Sequence, residues 1–418
     1  MSAAILASRL QANPVVITGL GVHCAAGQTT GELWDNLLAG PSPARWHELM
    51  QDGTAQRVAV CDAPTLHFES PIFRRIHRMD RNVQLAHAAA WKAWLDARLD
   101  QTPISRERVG IFTGTSRGPL QKWAESQAHL VKGRMLPTLA PDSTIASLSG
   151  ALSATLGAKG PCLTVSATCA SSAGAIILAA QQLVLGVADA MLVGGSEAPV
   201  NDLILTQLLT TGVLGSHEDP ARVCRPFDLN RNGTILGEGS AFLVLESLDS
   251  ARRRGARIYA RLAGWGIASE GGERTGAGET GDCMVRVMRE ALDLGGLSAD
   301  RIDYVNLHGT GTRVNDRVEA RAMQRLLNGS TDGVFCSSTK PVTGHCMGAS
   351  SAIEALISVL VLNNHLLPPT INCTELDPEC PVNLITHEPR RKKARAVLSN
   401  SSGFWGNNAS LLFVEWEG

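Results

Sequence analysis

Neither sign of charge is in excess in this chain: 38 Lys and Arg residues stand against 39 Asp and Glu, a net charge of −1. That balance argues against a surface built for nucleic acid or for an anionic membrane. No run approaches the roughly 18 apolar residues that a bilayer span needs. The opening MSAAILASRLQANP lacks the full arrangement of a signal peptide. Ten cysteines are present, yet none forms a CxxC pair and no Cys/His group has the spacing of a structural zinc site. No metal centre is expected, and most of the cysteines read as small, reduced, buried residues of a cytoplasmic protein. A Pro-rich or low-complexity linker is also missing, which leaves one compact unit as the expectation.

What is present is hydrophobic mass: 418 residues, 44% of them hydrophobic, enough for two to three domains' worth of core. Strand and helix patterns alternate, which predicts an α/β fold with buried, largely parallel strands. Strands are expected at 14–21, 109–114, 161–165, 189–195, 241–245, 302–307, 333–336, 395–399 and 410–416, and helices at 30–38, 83–95 and about 170–186. Segments 267–283 and 326–333 read as surface loops. The G-x-G after the first strand has its next glycine at 27, out of register for a dinucleotide site.

Cys169, in Val-Ser-Ala-Thr-Cys-Ala-Ser-Ser, stands on the corner between a strand and a small-residue helix. Unpaired N–H groups in a first helical turn favour a thiolate there, and the same groups can hold an oxyanion. An isolated cysteine is more often a core thiol. Two further stretches shift that balance. A strand ends in His308-Gly-Thr-Gly-Thr, and a loop carrying Lys340 and His345 opens an apolar helix that contains Glu354. Histidines at strand ends beside glycines sit where α/β folds build active sites. The turn at 399–408 reads as an ordinary hairpin, or as N–H groups aimed at a carbonyl.

These motifs, with VVITGLG, RMDR, GPCLTVSATCASS, GGSEA, RPFDLNRNGTILGEG and SNSSGF, run nearly end to end. Together they resemble the elongating β-ketoacyl-acyl-carrier-protein synthases, decarboxylating condensing enzymes of the thiolase fold. The resemblance implies a five-layer αβαβα fold of two pseudo-duplicated halves, here 1–255 with the cysteine and 256–418 with the two histidines. It implies Cys169 as nucleophile, and His308 and His345 around the extender malonyl group. Lys340 and Glu319 would form a pair that orders the second histidine. Cys169 and Phe404 N–H groups would form the oxyanion hole, with Thr310 and Thr312 along the pantetheine arm. Asn306, Glu354 and Asn400 match positions that hold a monovalent cation in some relatives. No tightly bound cofactor is implied: substrates arrive on the phosphopantetheine of an acyl carrier protein, and the enzyme is a homodimer, or a heterodimer with a related subunit. Lys132, Arg134 and Arg74 are basic candidates for carrier docking.

The sequence departs from the pattern at Thr234 and Ser402, where the family has phenylalanine, at Trp405, where it has glycine, and at Arg117, where a small or apolar residue often gates the acyl tunnel. A buried guanidinium requires a carboxylate of the protein or of the substrate, unless the loop turns Arg117 to solvent or across a dimer. These changes disfavour a plain long alkyl chain and favour a polar, aromatic, unsaturated or short acyl group in specialised metabolism. A silent chain-length-factor-type subunit is the first alternative, although such relatives generally lack the cysteine. A thiolase-like acyltransferase with a second cysteine is the other, with Cys346 beside His345 as that cysteine.

Overall fold

The computed structural model describes residues 3–51, 53–67, 76–272, 280–329 and 331–418. Ten strands form one mixed sheet: β1 (Val15–Cys24), β2 (Val109–Gly114), β3 (Cys162–Val165), β4 (Ala190–Glu197), β5 (Gly239–Ser247), β6 (Ala260–Ser269), β7 (Tyr304–Asn306), β8 (Phe335–Ser337), β9 (Ala396–Gly403) and β10 (Asn407–Glu415). Their spatial order is β8-β7-β9-β10-β6-β1-β5-β4-β2-β3. The midpoint is a short antiparallel ladder, Val15 to Ile17 against Leu262 to Ala260.

Each side of that ladder repeats the same plan. In both, the first strand pairs antiparallel with the fifth, the fifth antiparallel with the fourth, and the fourth and second and the second and third pair parallel. This is the α/β architecture of two pseudo-duplicated halves. A parallel pair needs a crossover, and the crossovers supply the helices that matter here. Helix α1 is Arg81–Asp96, α2 is Ser171–Val184, α3 is Asp282–Gly295, α4 is Arg313–Leu326 and α5 is Ser350–Asn364.

Helices α2 and α5 follow the third strand of their respective halves and share one core with both, through residues such as Ala173, Ile176, Ile353 and Ile357. The outer faces are covered by α1 on one half and by α3 and α4 on the other. The small residues around α2 are a packing requirement: a Cβ on Gly114 would lie 2.4 Å from Ser172 N. The helix therefore starts against the strand ends, and everything at its first turn is drawn inward.

Several sequence expectations change. The stretch Met347–Asn364 is long and apolar enough to cross a bilayer, with mean hydropathy 1.3, but 89% of it is buried inside the protein. It is a core helix, apolar all round because sheet and helices enclose it. The expected C-terminal hairpin loop is mostly strand, with β9 and β10 paired from Ala396–Val414 to Gly403–Asn407. Helix α4 begins at Arg313, and its Asp316 and Glu319 are both buried. Of the segment 267–283, residues 273–279 lie outside the described residues, as does Arg74.

Candidate active site

The site forms where the carboxyl ends of the second and third strands of both halves meet, as the crevice rule for α/β sheets requires. Cys169 precedes α2, and Thr168, at φ 52°, makes the corner that turns its side chain inward. The C-terminal turn closes over it. A Cβ on Gly403 would lie 2.0 Å from Thr168 Oγ1 and 2.9 Å from Cys169 N, so glycine is needed for the two chains to approach. Cys169 N and the start of the Phe404 turn thereby sit together, as the proposed oxyanion pair requires.

Three reactive side chains converge. Cys169 Sγ is 3.2 Å from His345 Nε2. The His308 and His345 rings lie edge to face with centroids 5.4 Å apart. One ligand atom from each of Cys169, His308 and His345 lies within 4.8 Å of the others, and all three residues are buried. Sequence spacing could not show this juxtaposition, because the three residues come from loops far apart in the chain. A cavity of about 550 Å³ leads to Cys169 and His345 and is lined by Thr234, Thr310, Thr312, Ser402 and Phe404 among others. Two expected lining residues fall elsewhere. Trp405 is 54% exposed, because its left-handed backbone (φ 64°) swings it out of the turn. Arg117 is half-buried and is not on that cavity's wall, with its backbone N–H on Glu197 Oε1 and its enclosed Nε without a partner.

Lys340 is fully buried and pairs with Glu354, not with Glu319. Its Nζ also meets His308 Nδ1 at 3.4 Å and the His308 carbonyl, so it orders the first histidine and not the second. The reason lies in α4 and α5. Glu319 on α4 is occupied by the His308 and Gly309 N–H groups at 2.7 and 2.8 Å, while Glu354 on α5 faces the ammonium. His345 Nδ1 is 2.9 Å from Ser350 Oγ. Glu197, unread in the sequence though it lies within GGSEA, accepts from Thr115, Ser116, Arg117 and Gly348, and so ties the loop after β2 to the loop before α5. Backbone amides gathered on a buried carboxylate leave no signature in one sequence. For the monovalent cation, Asn306 Oδ1 and Glu354 Oε2 are buried acceptors without hydrogen-bond partners, which fits a hard cation. The Asn400 side chain does not fit, being bonded to Ser410 and Met288.

Burial decides the electrostatics. The Cys169 thiol is pushed up to about 12, chiefly by desolvation, which outweighs the nearby Lys340. The helix start alone therefore does not set the state of this sulfur: burial works against the thiolate, and an imidazole stands 3.2 Å away to take its proton. Desolvation, helped by Lys340, holds His308 well below its usual range and His345 down at about 3. The unfolded chain protonates His345 below about pH 6.5, whereas the folded chain refuses that proton until about pH 3. Its contribution to stability is thus present above 6.5 and lost as pH falls through that window. His345→Asn should accordingly lose about 2 kcal/mol of its destabilisation, relative to wild type, between about pH 7.5 and about pH 5. Denaturant unfolding at the two pH values measures this, and a pH-independent difference would contradict it.

With this geometry in place, comparison with known proteins is informative. Residues 12–251 match the family described as "Beta-ketoacyl synthase, N-terminal domain" and residues 259–374 match "Beta-ketoacyl synthase, C-terminal domain". The chain is 33% identical over 407 residues to 3-oxoacyl-[acyl-carrier-protein] synthase 2 of Staphylococcus aureus, covering 96% of this chain and 98% of the relative. Among solved structures it is similar to a type II PKS ketosynthase in complex with its acyl-carrier protein and bound to the hexaketide (28% identity, TM-score 0.87, 97% of this chain and 100% of that one). It is also similar to the ishigamide ketosynthase/chain length factor (32% identity, TM-score 0.87, 97% and 99%).

Proposed function

This chain belongs to the β-ketoacyl synthase family and is an acyl-transferring condensing enzyme that works with an acyl carrier protein, and on that premise we propose that it performs a decarboxylative Claisen condensation on Cys169. The observation that carries the assignment is the convergence of one thiol and two imidazoles, with a cavity of about 550 Å³ reaching Cys169 and His345 and with His308 buried beside them.

In the first stage Cys169 Sγ attacks the acyl thioester of the carrier. The Sγ–acyl bond forms and the carrier C–S bond breaks. The sulfur's proton passes to His345 Nε2 and on to the departing pantetheine thiolate. In the second stage malonyl on a carrier loses carbon dioxide, and the electron pair of the broken C–C bond moves into an enolate whose oxygen accepts from imidazole N–H groups. Histidines kept neutral by burial suit this role, because they donate without presenting a charge to the incoming carboxylate. The enolate carbon then attacks acyl-Cys169, with the oxyanion held by the Cys169 and Phe404 N–H groups; the Sγ–acyl bond breaks, the β-ketoacyl product leaves on its carrier, and the Cys169 thiolate takes a proton from solvent water, the one proton that loss of carbon dioxide from the malonyl carboxylate consumes. No tightly bound cofactor enters; Thr310 and Thr312, on the cavity wall, support passage of a phosphopantetheine arm. Mass spectrometry of Cys169 after incubation with acyl and malonyl carriers tests the scheme. Failure to form an acyl-enzyme would refute it, and product formed without malonyl would favour the thiolase-like alternative.

The acyl chain is polar, aromatic, unsaturated or short. Hydroxyls of Thr234 and Ser402 line the cavity, and Arg117, whose charge is felt at Cys169 and whose enclosed Nε is without a partner, leaves a guanidinium for a polar group of the substrate to meet. On a panel of acyl carriers, long saturated chains should be poor donors, and Arg117→Ile should improve them about tenfold. A wild-type preference for long saturated chains would sink this assignment.

The enzyme is a dimer of identical chains. β3 is the sheet's outer edge, with Leu163 53% exposed, and Trp123 and Leu130 are also exposed; an open apolar edge is stabilised by pairing with another strand. Sedimentation of the purified chain alone distinguishes a homodimer from a subunit that needs a different partner. The exposed Lys132 and Arg134, and Arg313 on the cavity rim, are the described basic residues placed to meet an acidic carrier.

A further inference from the structure

The two histidines differ in what stands behind them. His308 Nδ1 faces Lys340 Nζ. An ammonium has three donors and no acceptor, so it fixes the proton of a neutral His308 on Nε2 and makes that ring a standing N–H donor beside Cys169 and His345. His345 Nδ1 faces Ser350 Oγ at 2.9 Å. A hydroxyl both donates and accepts, and Ser350 is 3% exposed, with no water-facing role. The proposed reaction asks His345 for two different states. Acylation needs a bare Nε2 to take the proton of Cys169 Sγ, 3.2 Å away, and hence a proton on Nδ1. Decarboxylation needs Nε2–H, and hence a bare Nδ1.

We propose that Ser350 is a positioning residue serving both stages, its hydroxyl accepting from His345 Nδ1–H while Cys169 is acylated and donating to bare Nδ1 while the extender loses carbon dioxide. Between the stages the ring loses one proton from Nδ1 and gains one at Nε2 by exchange with water in the cavity, so charge is conserved. Ser350 is placed for this by the fold. His345 ends the loop and Ser350 opens α5, five residues on, so the hydroxyl sits under the imidazole without an element of its own. The inference rests on the two-stage assignment made above.

The test separates the half-reactions: acylation of Cys169 by an acyl carrier, and carbon dioxide release from a malonyl carrier. Ser350→Ala should slow each about tenfold, the worth of one hydrogen bond at the reacting ring, with KM and the melting temperature little changed. Ser350→Thr, which keeps the hydroxyl, should restore both. Unchanged rates in Ser350→Ala, a loss confined to one half-reaction, or a Thr variant no better than Ala would each overturn it. If the wild type catalyses neither half-reaction, the two-stage reading itself falls, whereas wild-type turnover with undiminished Ala rates removes this inference alone.

Discussion

Cys169→Ala is expected to lower acyl transfer by about 10⁴-fold or more, the scale on which removal of a covalent nucleophile acts, and to leave a chain that takes up no acyl group at residue 169. The fold should survive. Cys169 is held in place by backbone, through the Thr168 corner and Gly403, and alanine keeps the Cβ that packs there. Cys346→Ala is the matched control. Its thiol is fully buried, shifted well up by desolvation, and points at the Thr343 and Gly344 carbonyls. It is absent from the cavity wall among the described residues, so acyl transfer should persist when it is lost. Intact-mass spectrometry and a condensation assay on both variants decide. If Cys346→Ala were the inactive one, the nucleophile would have been misassigned and a two-cysteine chemistry would return.

The parts of the site legible in the sequence are those whose chemistry is local. A cysteine between a strand and a helix of small residues, and histidines at strand ends beside glycine, announce themselves because strand, turn and helix are short-range patterns. The partners were not legible. Lys340 lies 14 residues from Glu354 and 21 from Glu319, and neither spacing says which carboxylate it meets; that is set by α5 packing between the halves while Glu319 is held by the His308–Gly309 amides. What burial does to the thiol is hidden for a related reason. The helix start is visible in the letters, whereas the desolvation that overrides it comes from every element closing over Cys169. The duplication is implied by the family resemblance alone, since it resides in strand order and pairing direction rather than in repeated residues. Arg117 stood out in the sequence as a charge needing an explanation, and the structure sharpens the point by enclosing its Nε without a partner.

Lys340→Met should combine the largest loss of stability with a loss of rate. The ammonium and the Glu354 carboxylate are buried together; removing one member of such a pair leaves an uncompensated charge and costs about 3–5 kcal/mol. Burial already pushes the Glu354 carboxyl upward, and Lys340 is what draws it back. Without Lys340 the folded variant holds a proton on Glu354 that the unfolded chain releases above about pH 4.5, so its destabilisation should shrink as the solution is acidified. Adding Glu354→Gln removes the charge itself and should restore much of the stability lost in Lys340→Met. It should not restore carbon dioxide release, because His308 Nδ1 still lacks the donor that fixes its proton on Nε2. The double variant thus separates the two roles: denaturant unfolding follows the ion pair, and decarboxylation follows the lock on His308. A double variant that regains both would show Lys340 to be structural, and one that regains neither would show that Glu354 is not its energetic partner.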